Sequence, residues 1–164
     1  VLTTLPRLEV TLNGGRSAII AALALALAVL TGCGGSSSSA EDQFVAKANA
    51  VCAKAQARAK RLKPPGSSAA GNSRFIEQVS VLLGEVSREL ATVEAPASKR
   101  AAYGRFVTGT SHEVTNLRQY AAGLRSNERE RAGKAVAAIE ANTLNAQATA
   151  MGLSTCAKTV EPTG

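Results

Sequence analysis

From Glu41 to Leu153 apolar residues recur every three or four positions, and the period is interrupted at only three places. That spacing is the signature of amphipathic helices. The first segment, Glu41 to Lys63, aligns Phe44, Ala48, Val51, Cys52, Ala55, Ala59 and Leu62 on one face. It ends at Pro64-Pro65-Gly66, because a residue before proline avoids the α region and glycine weakens a helix. Residues 67–72 then read as a polar loop, with Ser73 the expected N-cap of the second segment. Phe75, Val79, Leu82, Leu83, Val86, Leu90 and Val93 form the clearest stripe in the chain, and Pro96 stops it. Proline also suits the first turn of a following helix. The third segment, Ala97 to Leu124, turns Tyr103, Phe106, Val107, Thr110, Val114, Leu117, Ala121 and Leu124 inward. Gly104 and Gly109 with the β-branched residues between them lower its propensity. Ser126 or Asn127 is the expected cap of a fourth segment, with Ala132, Val136, Ile139, Thr143, Ala146 and Ala150 inside and Gly152 as its stop. Short connections make consecutive helices antiparallel neighbours, so the expectation is an all-α, up-down-up-down four-helix bundle over residues 41–157, with 158–164 as a tail.

The residues before this domain read as an address. Arg16 precedes Ala18 to Leu30, an apolar run too short for the ~20 residues that a spanning helix needs but suited to the core of a secretory signal. Leu30-Thr31-Gly32-Cys33, an aliphatic residue, two small residues and a cysteine, resembles the lipobox of bacterial lipoproteins. The resemblance implies that residues 1–32 are a signal peptide cleaved before Cys33, and that the Cys33 sulfur carries lipid as the new N-terminus. Gly34-Gly35 and the four serines after them make residues 33–40 a flexible tether, with an r.m.s. reach of about 15 Å. A domain on such a tether stays close to the outer face of the cytoplasmic membrane.

With Cys33 assigned to lipid, Cys52 and Cys156 are left as an even pair in an oxidising compartment. A disulfide is the economical reading. The alternatives are two buried thiols or a redox pair, though the C-x-x-C spacing is absent. One histidine and two cysteines are too few for a zinc site, and no metal or other cofactor is expected.

The lipobox, the segment Ala48-Asn49-Ala50-Val51-Cys52 and the closing Gly152-Leu153-Ser154-Thr155-Cys156 together resemble small exported lipoproteins of high-GC Gram-positive bacteria. The resemblance implies location and helical fold, supports pairing Cys52 with Cys156, and implies little of function.

Three surfaces invite a functional reading. Lys47, Lys54, Arg58 and Arg61 fall within about 60° of one another at 100° per residue, a basic ridge beside the apolar stripe. The ridge could contact anionic lipid or wall polymer, where each near-surface cation adds about 1 kcal/mol. An ordinary solvated face is the plainer account. Tyr103, Phe106 and Gly109 sit in the weakest helix and could border a pocket, although close packing explains them as simply. His112 lies off the inner stripe, and no nucleophile or orienting acid accompanies it, so it reads as a surface histidine. The chain carries 19 Lys+Arg against 12 Asp+Glu and has a pI near 9.8. Nucleic acid is nevertheless a poor partner for an exported domain whose aromatic content is 3%. The expectation is a lipid-anchored, non-enzymatic binding or positioning module of the cell envelope, its protein partner unknown. The alternative is a carrier or sensor for a small ligand held in an apolar pocket of the bundle.

Overall fold

The computed structural model describes residues 39–63, 65 and 68–158. The expected signal peptide, its Leu30-Thr31-Gly32 cleavage segment, Cys33, the tether up to residue 38 and the tail from residue 159 lie outside the described residues. Every regular element among those described is an α-helix: α1 (Ala40–Ala59), α2 (Ala69–Ala91), α3 (Arg100–Ser126), α4 (Arg129–Glu140) and α5 (Leu144–Ala150). Helices α1 to α4 are packed together, α2 against both α1 and α3, and α3 against α4, while α5 packs on α3.

Local chemistry sets the boundaries. Ser39 and Asp42 cap α1 reciprocally: the Asp42 backbone N–H donates to Ser39 Oγ at 3.1 Å and the Ser39 N–H to Asp42 Oδ2 at 3.1 Å. The last residues of the expected tether, Ser39 and Ala40, thus belong to the helix. The cap of α2 is Ser68, whose Oγ accepts from the Gly71 N–H, and not Ser73. Ser73 lies a turn inside the helix, buried, and donates to the Ala121 carbonyl of α3 at 2.8 Å. The third helix starts at Arg100 rather than Ala97, with the Pro96 carbonyl accepting from the N–H groups of Lys99 and Arg100. Asn127 does not cap α4; it ends α3 in the left-handed region at φ 56°, and Glu128 precedes α4 without a side-chain cap.

The expected fourth segment is two helices. Asn142 divides them, its Nδ2 donating to the Ile139 carbonyl at 2.7 Å and its Oδ1 accepting from the Leu144 N–H at 3.2 Å. A side chain that satisfies the end of one helix and the start of the next competes with continued helix. The break resets the phase, so Thr143, Ala146 and Ala150 are exposed, and Ala148, Met151 and Leu153 are buried instead. Gly152, at φ 78°, ends α5 where expected.

The core is thin in area but closely spaced. Ala48, Ala121 and Ala148 are fully buried, and large rings concentrate at one end, where Phe44 of α1 meets Tyr103 of α3 edge-on at 4.9 Å. The Tyr103 hydroxyl donates to the Leu90 carbonyl at 2.7 Å. Burial pushes this phenol up to about 12. Together with the bond from Ser73 to Ala121, this pairing shows that α2 and α3 run antiparallel.

Helices α3 and α4 approach closely at Gly123, where a Cβ would lie 2.8 Å from the Ala132 backbone nitrogen. Gly123→Ala should therefore destabilise the domain by about 1–3 kcal/mol, since a backbone atom must move to admit the methyl. Gly104 has open space at its Cβ position, so Gly104→Ala should stabilise by about 0.5–1 kcal/mol through helix propensity. Thermal melts of the two variants should move in opposite directions.

Candidate functional site

The site begins at the Cys52–Cys156 disulfide, whose Cα atoms are 5.1 Å apart. It brings together the two cysteine-bearing segments on which the lipoprotein resemblance partly rests. Polar contacts hold the same junction. The Thr155 N–H donates to Asn49 Oδ1 at 2.9 Å, and Gln56 Nε2 donates to the Thr155 carbonyl at 2.7 Å. Lys99 Nζ donates to the Met151 carbonyl at 3.1 Å and pairs with Glu41 at 2.9 Å, fastening the C-terminal turn beside the start of α1.

Beyond the disulfide, toward the C-terminal end of α1, no third helix lines the seam between α1 and α2 among the described residues. The result is an apolar groove of about 380 Å³. Its first wall is Ala55 and Ala59 of α1 with Leu62 in the turn after the helix, its α2 wall includes Phe75, Val79 and Leu83, and the disulfide with Thr155 closes one end. Small residues on one wall and large ones on the other explain the gap. Alanines on α1 carry little side chain across the seam, and Phe75, Val79 and Leu83 stay only half-buried. Lys158 is the one charged residue on the lining, and the amide of Gln56 is already engaged with the C-terminal turn.

The structure places the other expected site residues as follows. Lys47, Lys54, Arg58 and Arg61 are all exposed. Arg58 pairs with Glu85 of α2, which makes it a strap across the α1–α2 seam rather than a free cation. Lys47, Lys54 and Arg61 form no ion pair among the described residues. Tyr103 and Phe106 are buried against the core, and a Cβ on Gly109 would lie 2.8 Å from Leu144 Cδ2, so the space expected there is filled by α5. The open groove is elsewhere, on the residues that the periodicity had assigned to core. His112 is exposed. Among the described residues no group of three or more His, Cys, Asp or Glu side chains converges to hold a metal ion, and no helix is long and apolar enough to cross a membrane.

Sequence reasoning passed over Glu113, which is buried in α3 with its carboxylate near Asn116 and Asn142. Burial raises its pKa, and the two amide contacts oppose that rise. Comparison with protein-family models, with curated proteins and with solved structures returned no match.

Glu113 makes stability depend on pH. Its folded-state pKa lies above the ordinary 4.5, so the folded state holds the proton more tightly, and stability falls as pH rises through the interval between the two values. Glu113→Gln keeps the amide contacts and removes the buried charge. Its melting temperature should exceed the parent's at pH 7, and the difference should close as pH drops below 4.5. A difference that is constant with pH would place the effect in packing.

Proposed function

We propose that the chain is an extracytoplasmic lipoprotein, held at the outer face of the cytoplasmic membrane by lipid on Cys33. Its up-down-up-down helical domain is a non-enzymatic binding module of the cell envelope, with the α1–α2 groove as its binding surface. The observation that carries this reading is the groove itself, an apolar slot kept open between two helices that are otherwise capped and packed. Half-buried Phe75, Val79 and Leu83 leave apolar surface in water, and covering it returns about 25 cal/mol per Å². A disulfide suits an oxidising compartment. The lipobox residues before Cys33 and the Gly/Ser run after it supply the export and tether parts of the reading.

The alternative of a small-ligand carrier uses the same groove. Its volume falls within the 300–1,000 Å³ range of small-molecule sites, and its lining is mostly apolar with few polar groups. The basic ridge is a separate means of positioning. Lys47, Lys54 and Arg61 remain available to an anionic surface.

Hydroxyl-radical footprinting tests the groove as the binding surface, whatever its occupant. Phe75, Ile76 and Leu83 should be labelled less in native membranes than in the purified, delipidated protein, while Val136 and Ile139 of α4 should label equally in both. Equal labelling of the groove in the two preparations would contradict the reading.

A further inference from the structure

We infer that the domain docks against an anionic bilayer through a second depression on the α1–α2 seam, with Arg61 and Arg74 on lipid phosphates and Val81 in the interfacial layer. The inference rests on the lipid-anchored reading of the chain and goes on to name the face that meets the membrane.

This depression is separate from the apolar groove, with which it shares only Leu62 and Leu82. Its charges come from Arg58 of α1, from Arg61 in the turn after that helix, and from Arg74 and Glu77 of α2. Glu85 engages Arg58, and Arg125 engages Glu77, so those charges cancel in pairs. Arg61 and Arg74 are exposed and have no acidic partner among the described residues. Two unmatched guanidinium groups on one depression, one from each side of the seam, call for an anion. The planar fork of arginine matches two oxygens of a phosphate at once.

Charge by itself would suit a lipid headgroup, a wall polymer or an acidic protein segment. Val81 selects among them. It lines the same depression and is the exposed large hydrophobic side chain of the described residues, at 55%. An apolar side chain among arginines is the pattern of a surface that lies in the membrane interface, the cations at headgroup level and the apolar group at the acyl boundary. A polyanionic polymer gives Val81 no apolar environment.

Helix α1 extends the same surface. Lys47, Lys54 and Arg61 are spaced seven apart, which drifts by only about 20° per step on a helix. All three are exposed and without an ion pair among the described residues. Helix α1 is about 30 Å long, so laying it along the bilayer brings this row to the headgroups together with Arg74. An upright α1 would bring only one end of the row.

The chain has no tryptophan, so one introduced indole reports alone. Val81→Trp is made in the full chain, purified with its lipid and reconstituted into vesicles of brominated phosphatidylcholine with or without phosphatidylglycerol. Emission from position 81 should shift to the blue and be quenched on the vesicles with phosphatidylglycerol only. An indole at an exposed position of α4, in Ala138→Trp, should be quenched on neither. Arg61→Gln and Arg74→Gln, added to Val81→Trp, should each shift the docking equilibrium about fivefold toward the undocked form. Arg129→Gln on α4 should leave it unchanged. Quenching equal on the two compositions, or unaffected by the two seam arginines, would overturn the inference. A chain that floats with both vesicle types but shows no quenching at position 81 would overturn it and leave the anchor in place. Retention on isolated wall polymer without that quenching would reassign the arginines to the polymer and overturn the bilayer as partner. A chain that floats with neither vesicle type would overturn the anchor as well.

Discussion

The Cys52–Cys156 bond is the constraint on which the rest of the domain depends. Helix α1 has 20 residues, packs mainly on α2 among the described helices while Phe44 touches Tyr103 of α3, and is marginal by itself in water. One ring, Phe44, anchors its beginning in the core, and the disulfide anchors its middle to the C-terminal turn across a sequence separation of 104. In the chain-entropy account a closed loop of that length stabilises by about 4.7 kcal/mol. Asn49, Gln56 and Lys99 orient the turn around the bond. The slot lies between α1 and α2 beyond that bond, with alanines along its α1 side.

The composition has a spatial consequence. Few aromatic residues are available, and Phe44, Tyr103 and Phe106 are gathered at one end of the domain, where the core is full. Elsewhere the helices approach through small residues, as at Gly123 against Ala132. Phe75 stands apart from the ring cluster and lines the groove. One end of the molecule is thus filled by rings, and the seam beyond the disulfide is left open.

Much of this was legible in the sequence and some was not, for local reasons. The stripes of the first three segments were readable because Phe44, Leu82, Val86, Tyr103, Phe106 and Leu117 keep the helical period, and all are buried. The cysteine pairing followed from the even pair that remains once Cys33 is assigned to lipid and an oxidising compartment is expected. The α4–α5 break was hidden because Asn142 sits in an otherwise helical pattern, and its two backbone hydrogen bonds exist only once the chain turns. Ser73 looked like a cap by type, yet its hydroxyl finds the Ala121 carbonyl on another helix, a partner 48 residues away that no local rule supplies. Ser39-x-x-Asp42 was a readable capping signature at the edge of a serine run that masked it. The groove could not be read at all. Periodicity reports which residues face inward, and it does not report whether the opposing wall reaches them.

The central claim is a lipid-anchored domain whose first helix is held by one disulfide, and the intact mass of the protein taken from its own membrane tests it most directly. The account predicts a chain beginning at Cys33 with acyl mass added, two hydrogens lighter before reduction than after. A chain that retains residues ahead of Cys33 without lipid, or a mass unchanged by reduction, would contradict it.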